Sequence, residues 1–190
     1  MKKVLVLDNY DSFTYNLVHY IREHPDCSVE VYRNDKISLE QVAGYDLIVL
    51  SPGPGLPDEA GMLKKIVRRY ASTKKILGVC LGMQAIGEVF GGRLMNLQQV
   101  YHGVATPIYR EGKDDPVFEG IPDEFMAGRY HSWVIDEVDF PAALTITSRD
   151  EQGHIMSVRH REYPLFGLQF HPESILTPHG KEMIFNFLNL

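Results

Sequence analysis

The segment Gly78-Val79-Cys80-Leu81-Gly82 lies between a short apolar run, Lys75 to Val79, and a helix-forming run, Met83 to Phe90. Strand, G-x-C-x-G, helix is the layout of a nucleophile elbow. The sharp turn forces its central residue into strained backbone geometry, and flanking glycines relieve the crowding around it. A cysteine placed there stands at a helix N-terminus, whose partial positive charge suits an anionic sulfur. By itself Cys80 also reads as an ordinary buried cysteine at a strand end. The paired glycines and the strand–helix setting favour the nucleophile.

A base for that nucleophile is offered by Gln169-Phe170-His171-Pro172-Glu173-Ser174. In an extended segment, residues i and i+2 face the same side, roughly 6.6 Å apart. Glu173 then reaches one imidazole nitrogen of His171 while the other points at a thiol, which is the base-plus-orienter logic of a triad. Pro172 stiffens the link and removes a backbone donor. The same pair is compatible with a surface contact or a fragment of a metal site. The zinc-deaminase version needs a downstream P-C-x-x-C, and none follows.

The third candidate is Ser51-Pro52-Gly53-Pro54-Gly55-Leu56-Pro57. It follows an apolar strand, so it belongs at the carboxyl edge of a sheet, where α/β proteins bind ligands. It is not a dinucleotide fingerprint, because the third glycine position falls on Asp58, and it lacks the Gly-Lys-Ser/Thr of a phosphate loop. A stiff Pro/Gly loop can present backbone N–H groups to a developing oxyanion, or it can be a plain turn. His131, in Arg129-Tyr130-His131-Ser132-Trp133, stands in an aromatic, polar cluster read as strand. The remaining histidines have no sequence partner that compels a role, and Cys27 reads as incidental in a polar turn.

These residues need a frame. Lys3 to Leu7, Ser28 to Tyr32, Asp46 to Leu50 and Lys75 to Val79 read as strands, the first, third and fourth continuously apolar. Helices are predicted after Ser12, with Asp11-Ser12 as the N-cap region and Phe13, Leu17, Val18, Tyr20 and Ile21 on the apolar face. Further helical segments are predicted around Leu39–Val42, over 60–71, after Cys80 and from about Pro178 to Leu188. Continuous apolar strands alternating with helices argue for a parallel sheet covered on both faces. After residue 92 the rhythm changes. Val104 to Ile108, Leu144 to Thr147 and Ile155 to Val158 read as antiparallel strands, with turns at Gly112, Pro122 and Gly153, before a strand from Leu165 to Phe170. The fold class expected is a single mixed α/β domain over 1–190: a largely parallel central sheet flanked by helices, with a smaller antiparallel sheet.

Composition narrows the partners. The chain has 190 residues, 44% hydrophobic, enough for one domain with a real core. That apolar fraction excludes disorder, and no apolar run approaches the ~18 residues of a membrane span. The N-terminal apolar stretch is too short for a signal peptide. The formal net charge is −6 and no basic run exceeds pairs such as Arg68-Arg69, so nucleic acid is not the expected partner. Two cysteines without a CxxC point to a reducing, cytoplasmic setting.

Taken together, the Gly53 loop, the Cys80 elbow and the His171 segment resemble the class I, triad-type glutamine amidotransferases over nearly the whole chain. The stretches Leu7-Asp8-Asn9-Tyr10-Asp11-Ser12-Phe13-Thr14-Tyr15-Asn16-Leu17 and Gln169 to Gly180 resemble, more narrowly, component II of anthranilate synthase and of aminodeoxychorismate (para-aminobenzoate) synthase. The resemblance implies a flavodoxin-like fold and a glutaminase. Cys80 matches the nucleophile that attacks the side-chain amide of glutamine, His171 the general base and later acid, and Glu173 the orienting carboxylate. The backbone N–H groups of Gly53 and Leu81 match the oxyanion hole. Gly53, Pro54, Gly55, Gln84, Ser132 and Trp133 match positions that contact glutamine.

The resemblance also implies delivery of ammonia to a chorismate-utilising synthase subunit, with Tyr10, Asp11, Ser12 and Phe13 expected at the docking surface. No cofactor or metal is implied on this chain; Mg2+ belongs to the synthase partner. Two readings compete: an amidotransferase for another synthase, such as those making GMP or CTP, and a regulatory binding protein on the same fold with a degenerate site. Presence of all three triad residues argues against the second, and the Asp8–Leu17 stretch against the first. The chain departs from its relatives in two places. Val104 stands where a His-Gly-Lys lysine is usual, and Trp133 stands where an aliphatic residue is usual.

Overall fold

The computed structural model describes residues 1–190. In chain order the first half comprises β1 (Lys2–Asp8), α1 (Thr14–Glu23), β2 (Cys27–Arg33), α2 (Leu39–Val42), β3 (Leu47–Leu50), α3 (Leu63–Tyr70), β4 (Lys75–Val79) and α4 (Leu81–Val89). The second half comprises β5 (Leu94–Asn96), β6 (Val104–Arg110), β7 (Glu124–Arg129), β8 (Trp133–Ile135), β9 (Leu144–Asp150), β10 (Ile155–His160), β11 (Leu165–Leu168) and α5 (Gly180–Asn189).

One nine-stranded sheet runs β2-β1-β3-β4-β11-β10-β9-β6-β7. The strands from β2 to β11 pair in parallel, and those from β11 to β7 pair antiparallel. The late antiparallel strands therefore extend the main sheet, and the separate small antiparallel sheet is the pair β5–β8. Alternation along β1 splits the core in two. Val4 and Val6 pack with Leu17, Ile21, Met183 and Phe187 of α1 and α5, whereas Leu5 and Leu7 pack with Leu63, Ile66 and Ile86 of α3 and α4. Both faces of the parallel half are thus covered, as its continuous apolar strands require.

Several local expectations change. Ser12 is exposed and caps nothing; Phe13 holds the cap position of α1 without a side-chain bond. The work passes to carboxylates, which are stronger acceptors: Asp11 accepts the Phe13 N–H at 2.8 Å, and Asp8 accepts the Thr14 hydroxyl at 2.9 Å. Cys27 is not in a turn but opens β2, buried. His131 lies between β7 and β8 rather than on a strand. No helix is long and apolar enough to cross a membrane.

Candidate active site

The turn from β4 into α4 holds Cys80 at φ 52°, ψ −103°, a left-handed φ that costs a non-glycine residue about 1–3 kcal/mol. Two hydrogen bonds fix it there: Cys80 N–H donates to the Leu168 carbonyl at 2.7 Å, and the Cys80 carbonyl accepts from Gln84 N–H at 3.0 Å. Gly78 is needed because a Cβ would stand 2.5 Å from the Gly82 carbonyl carbon. The elbow read from the sequence is therefore present, with its cysteine buried at the head of a helix.

His171 and Glu173 do meet, but not along an extended segment. Residues 172–173 form a turn, with Ser174 N–H donating to the His171 carbonyl at 3.2 Å. The His171 backbone is tied further to Gly128 and to the Thr177 hydroxyl. Across the turn, Nδ1 of His171 is 2.6 Å from Oε1 of Glu173. A carboxylate only accepts, so Nδ1 carries the proton and Nε2 is the free nitrogen. Nε2 and Glu173 Oε2 are buried without hydrogen-bond partners. Burial alone would lower the pKa of His171; the Glu173 charge and the nearby Cys80 sulfur outweigh it and hold the ring well above its usual value. Nε2 makes no hydrogen bond to the Cys80 sulfur.

The glycine loop after β3 is pinned to the end of β1. Asn9 N–H donates to the Ser51 hydroxyl at 2.9 Å, and its side-chain amide donates to the Ser51 carbonyl at 2.8 Å. At Gly53 a Cβ would be 2.5 Å from the Asn9 carbonyl oxygen and 3.0 Å from the Leu81 side chain, so only glycine brings the loop this close to the elbow. Leu81 is the first residue of α4, and its N–H has no acceptor within the helix.

A cleft of about 280 Å3 lies between these parts, lined by Gly53, Pro54, Gly55, Leu56, Cys80, Gln84, Tyr130, His131, Ser132 and Trp133. Every residue that the sequence assigned to glutamine contact is on that wall. Its far side is tied together by hydrogen bonds. The Trp133 carbonyl accepts Gln84 Nε2–H at 3.0 Å and, also at 3.0 Å, His131 Nδ1–H. His131 Nε2 accepts from Arg129 Nε–H at 3.1 Å, and the pKa of His131 is lowered to about 3 by burial and by the Arg129 charge. Arg129 is itself buried, paired with Asp150 at 2.9 Å and lying 3.6 Å from the Tyr101 ring centroid. The Trp133 indole N–H reaches Asn96 of β5 at 3.1 Å with that amide turned to accept it, which seats the unusual tryptophan against the small sheet. Val104 is half exposed on β6, away from the cleft wall.

The Tyr10–Phe13 segment divides. Tyr10, at φ 62°, is exposed and donates its hydroxyl to Asp35 at 2.7 Å; Ser12 is exposed. Phe13 instead turns inward, its ring centroid 5.9 Å from that of His171 and 5.1 Å from that of Tyr130. Tyr130 lies 4.7 Å from the His171 ring and shares a 3.2 Å hydrogen bond with Ser174. Asp11 is half-buried; burial raises its pKa, and it feels the charges of His171 and Glu173. Sequence reasoning gave no role to Tyr130, Arg129 or Gln169. The first two lay in the aromatic, polar cluster around His131, and Gln169 lay two residues before His171.

Comparison with known proteins follows the same lines. Residues 5–190 match the family described as Glutamine amidotransferase class-I. The chain is 48% identical over 193 residues to the Bifunctional protein TrpGD of Thermotoga maritima, covering 100% of this chain but only 32% of that protein, so it spans about a third of this relative's length. It is 42% identical over 187 residues to the aminodeoxychorismate/anthranilate synthase component 2 of Bacillus subtilis, covering 97% of this chain and 95% of the relative. Among solved structures, a putative GMP synthase subunit from Thermoplasma acidophilum superposes with a TM-score of 0.88 at 26% identity, covering 100% of this chain and 93% of that one. A family match that begins inside β1 and runs to the last residue takes in the elbow, the glycine loop and the histidine–glutamate turn alike, and the chain belongs to the class-I glutamine amidotransferases.

Proposed function

We propose that this chain is the glutaminase component of a chorismate-utilising synthase, releasing ammonia from L-glutamine for anthranilate or aminodeoxychorismate formation. The observation that carries the reading is that Cys80, Gln84, the Gly53 loop and Ser132-Trp133 line one cleft, with the His171–Glu173 pair beside Cys80.

In the reaction, glutamine lies in the cleft with its side-chain amide over Cys80. His171 Nε2 takes the thiol proton as Sγ bonds to the amide carbon. The carbonyl oxygen becomes an oxyanion that the N–H groups of Gly53 and Leu81 receive. Collapse breaks the C–N bond, and His171 returns the proton to the departing nitrogen, giving ammonia and a γ-glutamyl thioester. Water then attacks the thioester with His171 again as base, the C–S bond breaks as His171 returns that proton to the departing sulfur, and glutamate leaves. Glu173 keeps the imidazole in the required tautomer throughout. These steps use side chains and backbone alone; magnesium is assigned to the synthase partner. The free thiol of the nucleophile suits a reducing cytoplasmic setting.

Ammonia released to water at neutral pH is mostly protonated and no longer a nucleophile. A sealed interface with the acceptor synthase therefore has a chemical purpose. We assign the docking surface to the carboxyl edge of the sheet, with Tyr10, Asp11 and Ser12 on its rim and Phe13 bracing His171 behind them. The relatives at 42–48% identity favour chorismate over guanine-nucleotide chemistry. Which ring position is aminated rests with the synthase, since this chain supplies the same ammonia to either. The test is glutamine turnover by the chain alone, with the synthase partner, and with synthase plus chorismate. Stimulation by the partner is expected, and Ser12→Arg should weaken association while sparing Cys80 labelling. Full turnover alone, unchanged by the partner, would make the chain a free-standing glutaminase.

A further inference from the structure

Gln169 is wholly buried at the end of β11, and its side-chain amide nitrogen stands 3.6 Å from Cys80 Sγ, within N–H···S range. We infer that Gln169 is a further catalytic residue, whose N–H stabilises the sulfur of Cys80 as it becomes an anion. This rests on Cys80 being the nucleophile proposed above.

The orientation of that amide is forced by its neighbours. The Trp133 backbone carbonyl can only accept, so the 3.0 Å contact with Gln84 must come from the Gln84 amide nitrogen. The other hydrogen of the same nitrogen points to Gln169 Oε1 at 3.3 Å. With Oε1 of Gln169 occupied as an acceptor, its NH2 group faces the sulfur. Reversing Gln169 would set two donors against each other and put an oxygen against a developing thiolate. A chain of two amides thus transmits a fixed backbone carbonyl to the reacting atom. The backbone of Gln169 is held in turn, its N–H donating to the Met156 carbonyl at 2.8 Å.

The arrangement complements the other donors of the site. The N–H groups of Gly53 and Leu81 are placed for the substrate's oxygen, whereas His171 removes the thiol proton and leaves negative charge on sulfur. Cys80 is 6% exposed, and in so buried a place the charge gains from a donor already fixed in position. The titratable groups around the sulfur are His171, with Glu173 and Asp11 behind it, and replacing Gln169 changes none of their charges.

The experiment is the rate of Cys80 alkylation by iodoacetamide from pH 6 to pH 10, followed by mass spectrometry so that Cys27 is scored separately. Gln169→Leu should slow alkylation of Cys80 at pH 7 by about tenfold, near the lower end of what a hydrogen bond to a charged group contributes, as suits a long N–H···S contact. Its pH profile should move up by about one pH unit and reach the same plateau. Gln84→Met, which frees the Gln169 amide, should move the profile the same way by less. A lower melting temperature with an unshifted profile would mean that Gln169 only fills the core, and would overturn the proposal. If Gln169→Leu does not fold, Gln84→Met decides alone, an unshifted profile again overturning it. Full glutaminase activity in the wild-type chain alkylated at Cys80 would instead overturn the nucleophile assignment itself, and this inference with it.

Discussion

His171 Nδ1 and Glu173 Oε1 are 2.6 Å apart across a tight turn, and the outer atom of each pair-mate, Nε2 and Oε2, is buried with no partner. The bond fixes which imidazole nitrogen is free, and the turn fixes where that nitrogen sits. Phe13 and Tyr130 hold the ring from the side. The proposed base is therefore already held in place by the protein's own side chains.

In the proposed mechanism Glu173 acts through His171, so removing it should cost less than removing either reacting residue. In hydrolase triads the orienting acid contributes less than the nucleophile or base by a factor of roughly fifty to a hundred. Glu173→Gln should keep about that much more glutaminase activity than Cys80→Ala or His171→Ala, with the synthase partner present in each assay. Equal loss in all three would require Glu173 to do more than orient.

The same pair should leave a signature in stability. The folded pKa of His171 is raised above its unfolded value, against the effect of burial, by Glu173 and Cys80. The folded state therefore binds the proton more tightly. Its contribution is complete below the unfolded pKa of about 6.5 and is lost as pH rises through the higher folded value. The melting-temperature advantage of wild type over Glu173→Gln should accordingly be larger at pH 6 than at pH 9. An advantage that grows with pH would contradict the assignment.

His131 should act on binding rather than on proton transfer. With its pKa lowered to about 3 it stays neutral, joining Arg129 to the Trp133 carbonyl on the cleft wall. NMR titration from pH 5 to pH 9 should show no charge change at this ring. His131→Ala should raise KM for glutamine more than it lowers kcat, and should cost about 2–3 kcal/mol of stability by leaving Arg129 Nε unpaired. A loss confined to kcat would move His131 into the chemistry.

The legible parts of this protein are those written locally. Behind Lys75 the residues Ile76 to Val79 carry no polar side chain, and Lys75 to Val79 forms β4 with the bounds expected. The elbow glycines announce Cys80 because only a crowded turn needs them. By contrast β7 reads Glu-Phe-Met-Ala-Gly-Arg, and β5 and β8 are three residues each, too short and irregular for any periodicity to register. His171 and Glu173 pair as expected but by a different geometry: an extended segment and a turn both bring i and i+2 together, and Pro172 is compatible with either. The links from Gln169 to Cys80 and from Arg129 to Asp150 join distant segments, and no local pattern encodes them.

In the proposed mechanism Cys80, and not the chain's other thiol, carries the glutamyl group. The direct measurement is intact-protein and peptide mass spectrometry after exposure to an electrophilic glutamine analogue that alkylates glutaminase nucleophiles. Cys80 lies in the cleft, while Cys27 is buried at the start of β2, where burial raises its pKa. One adduct on Cys80, blocked by excess L-glutamine and accompanied by loss of glutaminase activity, is the predicted result. An adduct on Cys27 alone, or full glutaminase activity in Cys80→Ser beside its synthase partner, would contradict it.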